Sequence, residues 1–127
     1  MIVIDTSAVI ATLASESEAG RFAKIIAFDG NVLISAANFV ECALVASARS
    51  QVRAALEPWM EANNVSIMAV DETLARSAIQ AFERFGRGRH AAGLNFGDCF
   101  SYALAKSLDA PLLFKGDDFA KTDVRIL

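Results

Sequence analysis

Histidine occurs once in the chain, as His90. That excludes acid–base chemistry run by a histidine pair, the scheme of one broad class of ribonucleases. Cysteine occurs twice, as Cys42 and Cys99. Two thiols form no disulfide framework, and with one histidine and no ligand spacing they form no zinc set. Each lies in an apolar stretch and reads as a small buried hydrophobe. No GxxxxGK[ST] loop is present, which excludes a P-loop phosphotransferase, and no GxSxG elbow supports a serine hydrolase. The longest apolar runs are interrupted by Glu41, Asp98 or Lys106 before the roughly 20 residues of a membrane span. No basic segment precedes Ile2-Val3-Ile4-Asp5, so a signal peptide is not expected and the cytoplasm is the expected compartment. Repeats and low-complexity tracts are absent. Positive charge is also short: the net charge is −3, which by bulk charge is not that of a nucleic-acid binder.

Apolar residues are abundant. They make up 54% of the 127 residues, above the roughly 45–50% of soluble domains. Much of the excess is alanine, and part of it can be surface kept for a partner. The length suits one domain over residues 1–127. Met1–Asp5, Val32–Ile34, Val65–Val70 and Pro111–Phe114 read as short strands, with Val124–Leu127 a candidate fifth. Helices are expected over Ala8–Leu13, Ser15–Phe28, Ala36–Ala48, Gln51–Ala62, Asp71 to Phe85 and Asp98–Leu108. Thr6-Ser7 offers capping groups for the first of these. Ser15 and Glu18 fit a capping box for the second. Pro58 should break or restart the fourth. Leu74, Ala78, Ile79 and Phe82 form the expected inward stripe of the fifth. Uniformly apolar strands alternating with helices imply a three-layer α/β/α sandwich around a mostly parallel sheet of four to five strands.

In such sheets ligands bind beyond the carboxyl ends of the strands. Asp5 and the Asp117/Asp118 pair fall there. Singly, Asp5 and Asp98 read equally well as helix caps, and Asp117 and Asp118 as turn residues. Glu41 is different, because Phe39, Val40, Cys42, Ala43, Leu44 and Val45 surround it. A carboxylate in an apolar setting is costly without a cation or donors. Brought together, these acids would raise one another's pKa values, and a hard divalent cation relieves that repulsion. Oxygen-only ligands favour Mg²⁺ or Mn²⁺.

Four segments carry a resemblance. Ile4-Asp5-Thr6-Ser7-Ala8, Val40-Glu41, Asn95-Phe96-Gly97-Asp98-Cys99-Phe100 with Tyr102-Ala103-Leu104-Ala105, and Leu112-Leu113-Phe114-Lys115-Gly116-Asp117-Asp118-Phe119 resemble the motifs of PIN-domain nucleases. Together they resemble VapC-type toxins of bacterial toxin–antitoxin pairs, over essentially the whole chain. The resemblance implies a PIN fold, endoribonuclease activity dependent on Mg²⁺ or Mn²⁺, a VapB-type antitoxin partner and a homodimer. It carries Asp5, Glu41 and Asp98 over as the acidic triad and leaves the fourth acid between Asp117 and Asp118. Thr6 and Ser7 would orient the site. The expected chemistry is attack of water on an RNA phosphodiester, leaving 5′-phosphate and 3′-hydroxyl ends. Two other readings stay open: a PIN-like nuclease of RNA or DNA processing without a toxin role, and an α/β binding module whose acids are caps.

Arg84, Arg87, Arg89 and His90 crowd one glycine-rich segment. They read either as a solvated loop or as a phosphate-contacting arm, with Lys115 a weaker candidate of the same kind. Trp59, with Val52, Leu56 and Met60, reads as core or as a groove for an antitoxin helix.

Overall fold

A computed structural model describes all residues from Met1 to Leu127. Its sheet has four parallel strands, β1 (Ile2–Ile4), β2 (Val32–Ser35), β3 (Ser66–Met68) and β4 (Leu112–Leu113), in the order β3-β2-β1-β4. Val3 lies opposite both Leu33 and Leu112, and Ile34 opposite Ile67. Six helices connect and cover the strands: α1 (Thr6–Leu13), α2 (Ala19–Asp29), α3 (Ala36–Ala46), α4 (Ser50–Ala62), α5 (Glu72–Phe85) and α6 (Phe96–Ser107).

Strands β1, β2 and β4 are short and largely apolar because both sheet faces are covered there, whereas the edge strand β3 is largely exposed. Ile2, Ile4, Val32, Ile34 and Leu113 point into a core shared with Phe22 and Ile26 of α2, Cys42 of α3, and Leu56 and Met60 of α4. Val3, Leu33 and Leu112 point the other way, against Leu74, Ala78, Ala81 and Phe85 of α5 and Cys99 to Ala105 of α6. The expected three layers are therefore present. The chain adds β2 and β3 on one side of β1, then returns to place β4 on the other side. That reversal opens a crevice at the carboxyl ends of β1 and β4.

Several local expectations are corrected. Ser15 does not start α2; it ends α1. Its φ is +54°, its N–H donates to Thr12 O at 3.2 Å, and Glu16 N–H donates to Ala11 O at 2.9 Å. This is the Schellman pattern, with serine in the left-handed position usually held by glycine. Helix α2 consequently begins at Ala19, and Glu18 makes no side-chain cap. Pro58 sits inside an unbroken α4. Pro58 and Ala54 are both exposed, so the carbonyl that loses its donor can turn to water. Trp59 is half-buried against the core, beside buried Val52, Leu56 and Met60, the placement the packing reading expects. On α5 the buried stripe is Leu74, Ala78, Ala81 and Phe85, whereas Ile79 and Phe82 are exposed. The last segment forms no strand. A single bridge joins Ile126 to Leu112.

Asp71 caps α5 as the sequence suggests, its Oδ1 accepting from Leu74 N at 2.8 Å. No helix is long and apolar enough to cross a membrane.

Phe22 is wholly buried where α2 meets the sheet. Phe22→Ala is expected to lower unfolding free energy by about 3–5 kcal/mol in a denaturant titration; a loss under about 1 kcal/mol would mean the core closes over the gap.

Candidate functional site

The crevice between β1 and β4 becomes a cavity of about 330 Å³ at the sheet edge, lined by Asp5, Thr6, Ser7, Glu41, Asn95, Asp98, Glu16, Lys115, Ile10 and Val45. Four acids share this space: Glu16, which is paired with Lys115, and Asp5, Glu41 and Asp98, which come from separate elements. Asp5 leaves β1 in extended conformation and caps α1, with 3% of its surface exposed. Its carboxylate accepts three hydrogen bonds, one fewer than the roughly four its two oxygens can take. Oδ2 accepts from Ser7 N at 2.9 Å and from Ser7 Oγ at 2.6 Å, and Oδ1 accepts from Ser101 Oγ at 2.6 Å. Ser7 Oγ in turn accepts from Lys115 N at 3.0 Å, tying the end of β4 to the start of α1.

Glu41 comes from α3. Its Oε1 accepts from Thr6 Oγ1 at 2.5 Å and from Asn38 Nδ2 at 3.4 Å. Asn38 is fully buried; its Nδ2 also donates to Gly97 O at 2.9 Å, while its Oδ1 accepts from Ser35 Oγ at 2.5 Å. The Glu41 carboxylate lies directly over Gly97. A Cβ there would stand 2.1 Å from Glu41 Oε2, so only glycine admits the approach. The apolar setting expected for Glu41 needs correction, because Val40, Leu44 and Val45 are all exposed, Leu44 to 70%. Glu41 stands at the border of an apolar surface, not inside a core.

Asp98 is the third residue of α6 rather than its cap. Asn95 caps the helix and Asp98 completes a capping box: Asn95 Oδ1 accepts from Asp98 N at 2.9 Å, and Asp98 Oδ2 accepts from Asn95 N at 3.0 Å. Burial pushes the Asp98 carboxyl up to about 7, against the pull of the Asn95 backbone N–H, and the charges of Asp5, Asp118 and Glu41 push in the same direction.

Asp117 and Asp118 are exposed and outside the cavity lining. Asp118 opens a short 3-10 turn (Asp118–Lys121), and its charge reaches Asp98. Lys115 does line the cavity, but its Nζ is paired with Glu16 and, at 3.2 Å, with Glu18. The other cations singled out do not reach the cavity. Arg84 is paired with Asp123 and stacked on Phe85, and Arg89 lies over the Phe82 ring, 5.5 Å from its centroid. Arg87 is exposed. His90 Nδ1 accepts from Ala92 N and its ring meets the Phe85 edge. Burial pushes the Cys42 thiol up to about 12 and the Cys99 thiol up to about 11, which leaves both as inert packing groups.

The chain matches the PIN domain model over residues 2–125. It is 46% identical over 125 residues to ribonuclease VapC30 of Mycobacterium tuberculosis, covering 97% of this chain and 95% of that one. The chain belongs to the VapC family of PIN-domain ribonucleases. Among solved structures it resembles Mycobacterium tuberculosis VapC20, described as a sarcin–ricin loop cleaving toxin, with a TM-score of 0.78 and 19% identity over 98% of this chain and 96% of that one. It also resembles a chain of a toxin–antitoxin complex from Klebsiella pneumoniae, with a TM-score of 0.71 and 17% identity over 100% and 96%. These two likenesses confirm the fold.

The VapC-family motifs exposed the acids together with Thr6 and Ser7, which hold Glu41 and Asp5, but not Asn38 or Ser101. Asn38 lies one helical turn before Glu41, so helical spacing could have placed it there, whereas Ser101 acts on Asp5, 96 residues away. Ser35, to which the sequence gives no role, and Asn95, which stands in one of the family motifs, are the caps of α3 and α6.

The raised Asp98 carboxyl has a consequence for stability. In the metal-free protein the folded chain keeps a proton that the unfolded chain releases near its ordinary value of 3.8. Stability is therefore full below that value and falls as pH rises to about 7. Asp98→Asn is expected to remove most of this fall, worth about 1–2 kcal/mol once solvent screening is allowed for. Denaturant titrations of both proteins at about pH 5 and about pH 8 check this, and parallel losses in the two would refute it.

Proposed function

We propose that residues 1–127 act as one nuclease domain, a metal-dependent endoribonuclease that is the toxic half of a toxin–antitoxin pair. The observation that carries the reading is the meeting of Asp5, Glu41 and Asp98 in one cavity at the reversal of strand order, in a chain of this family. The donor set suits a hard cation. It is all oxygen, and it includes an acid pushed up by burial and by its like-charged neighbours, a state that a divalent cation relieves. No three acids stand close enough to close on an ion directly, so contacts to Mg²⁺ or Mn²⁺ would run in part through the waters such cations keep. Asp5, Asp98 and Glu41 would hold it, with Asp118 the fourth acid in preference to Asp117, because Asp118 is the one whose charge reaches Asp98. Such a cation, when bound, neutralises phosphate charge and makes water nucleophilic near neutral pH.

The chain's own groups do the rest. Ser7 and Ser101 fix the Asp5 carboxylate in one orientation. Thr6 and Asn38 occupy Glu41 Oε1 and leave Oε2, which accepts no hydrogen bond, to orient water and take its proton. Water attacks phosphorus, the bond to the 3′ oxygen breaks, and that oxygen gains a proton. The products are a 5′-phosphate and a 3′-hydroxyl.

A VapB-type antitoxin and a second copy of the chain are the proposed protein partners, in the cytoplasm. Exposed Val40, Leu44, Val45, Ile79, Phe82 and Phe96 supply apolar surface for them to cover.

The test incubates the protein with RNA and Mg²⁺ or Mn²⁺ and identifies the product ends; 2′,3′-cyclic phosphates would overturn the mechanism. Asp5→Asn and Asp98→Asn are each expected to reduce cleavage by at least about 10²-fold. The cations should also raise the melting temperature of the parent chain and not of these variants. Toxicity on expression, relieved by the adjacent open reading frame, separates a toxin from a nuclease of RNA or DNA processing.

Gly97→Ala tests the same geometry without touching an acid. Because the new Cβ would meet the Glu41 carboxylate, cleavage is expected to fall about as far as in Glu41→Gln; activity within about threefold of the parent would show that Glu41 can work from another position.

A further inference from the structure

Most ion pairs of the chain join one cation to one acid. Arg53 meets Glu57 and Arg76 meets Glu72, each one helical turn away, and Arg125 meets Asp109. Toward the carboxyl end of α6 two cations converge on a single acid. Arg84 Nη1 lies 3.3 Å and Lys106 Nζ 3.2 Å from the same Asp123 Oδ2, and Tyr102 Oη donates to Asp123 Oδ1 at 2.5 Å. Arg84, Tyr102 and Lys106 line an open cavity of about 370 Å³ between α5 and α6, with Ser77, Gln80 and Ser107 among its other walls; Asp123 does not line it.

Three features point to a ligand. The locus carries two cations against one anion in a chain of net charge −3. Its donors, a guanidinium fork, an ammonium and a phenol, form the set that a phosphodiester takes. Its place is right as well. Tyr102 follows Asp98 by one turn of α6 and Lys106 follows by two, so the cavity begins ~6–12 Å along the helix from the acidic site. A single RNA strand crosses that distance in a few nucleotides.

We propose that Arg84, Lys106 and Tyr102 form a subsite for a backbone phosphate of single-stranded RNA, occupied by the Asp123 carboxylate until RNA displaces it. The proposal rests on the ribonuclease reading of the acidic cavity. It gives that overall acidic chain a local positive field where the substrate strand leaves the carboxylates. It also divides the basic segment: Arg84 belongs to the subsite through α5, whereas Arg87, Arg89 and His90 do not line it.

The competing account makes the cluster a clamp for the chain's last residues and nothing more. The sign of the Asp123 effect separates the two. Binding of a short labelled single-stranded RNA is measured by anisotropy across a salt series, with every variant built on Asp98→Asn so that no strand is cut. Arg84→Ala and Lys106→Ala are each expected to weaken binding by about 5–10-fold at low salt and to reduce the slope of log affinity against log salt by about 0.7. Asp123→Asn is expected to tighten binding by about threefold or more, because the competing carboxylate is gone. Glu72→Gln makes the same change of charge at the exposed start of α5 and should leave affinity within about twofold. Weaker or unchanged binding in Asp123→Asn, an unaltered salt slope in the two cation variants, or equal tightening by Glu72→Gln would each overturn the subsite. Absence of cleavage by the parent chain is a separate result, and it would overturn the ribonuclease reading instead.

Discussion

Asn38 joins two helices that cover opposite faces of the sheet. One amide nitrogen donates both to the Gly97 carbonyl on α6 and to Glu41 on its own helix. The amide is wholly buried, and every polar contact it makes replaces one it would have had with water. Around that contact the site takes its dimensions. Gly97 has no Cβ, so the Glu41 carboxylate can rest on the α6 backbone, and Asp98, the next residue, is delivered beside it. Without this join, Glu41 and Asp98 would belong to separate layers with no reason to share a cavity.

The rest of the site manages negative charge. Asp5 is almost fully buried yet meets three donors, two from Ser7 and one from Ser101. Glu41 is held on one oxygen only. Asp98 has its backbone partner at Asn95 and otherwise faces like charges, which together with its burial push its carboxyl up. The three acids are thus held to different degrees, from Asp5 with its three donors to the underprovided Asp98. A site of this kind is stable enough to fold and still short of positive charge. Hydroxyls and amides serve as its scaffold because they donate without adding a charge of their own.

The layers of the fold were legible because burial on both faces leaves a plain mark: Ile2 to Ile4, Val32 to Ile34 and Leu112 to Leu113 are apolar without alternation. Asp5 was legible because a strand's carboxyl end is where such sheets place ligands. Glu41 was found by an argument with one faulty premise. Its neighbours are apolar, but they face outward, and one helix viewed alone does not reveal which of two apolar faces meets the core. Ser15 and Pro58 misled for a related reason. Both carry strong local preferences that the tertiary setting overrides, Ser15 by closing α1 in a left-handed turn and Pro58 by lying on the wet side of α4. Asn38 and Ser101 were not singled out, because the partners that give them meaning lie 59 and 96 residues away.

That separation bears on when the site is completed as the chain is made. The strand β1 is synthesised well before its neighbour β4, and Ser7 is tied to Lys115 across 108 residues. A growing chain can collect β1, β2 and β3 with their helices, but the crevice has only one wall until β4 arrives. Pairing across such a distance is also slow. A chain interrupted before β4 would carry Asp5, Glu41 and Asp98 and still lack the wall on which the cavity closes, so the order of synthesis itself delays the finished site until β4 has been made.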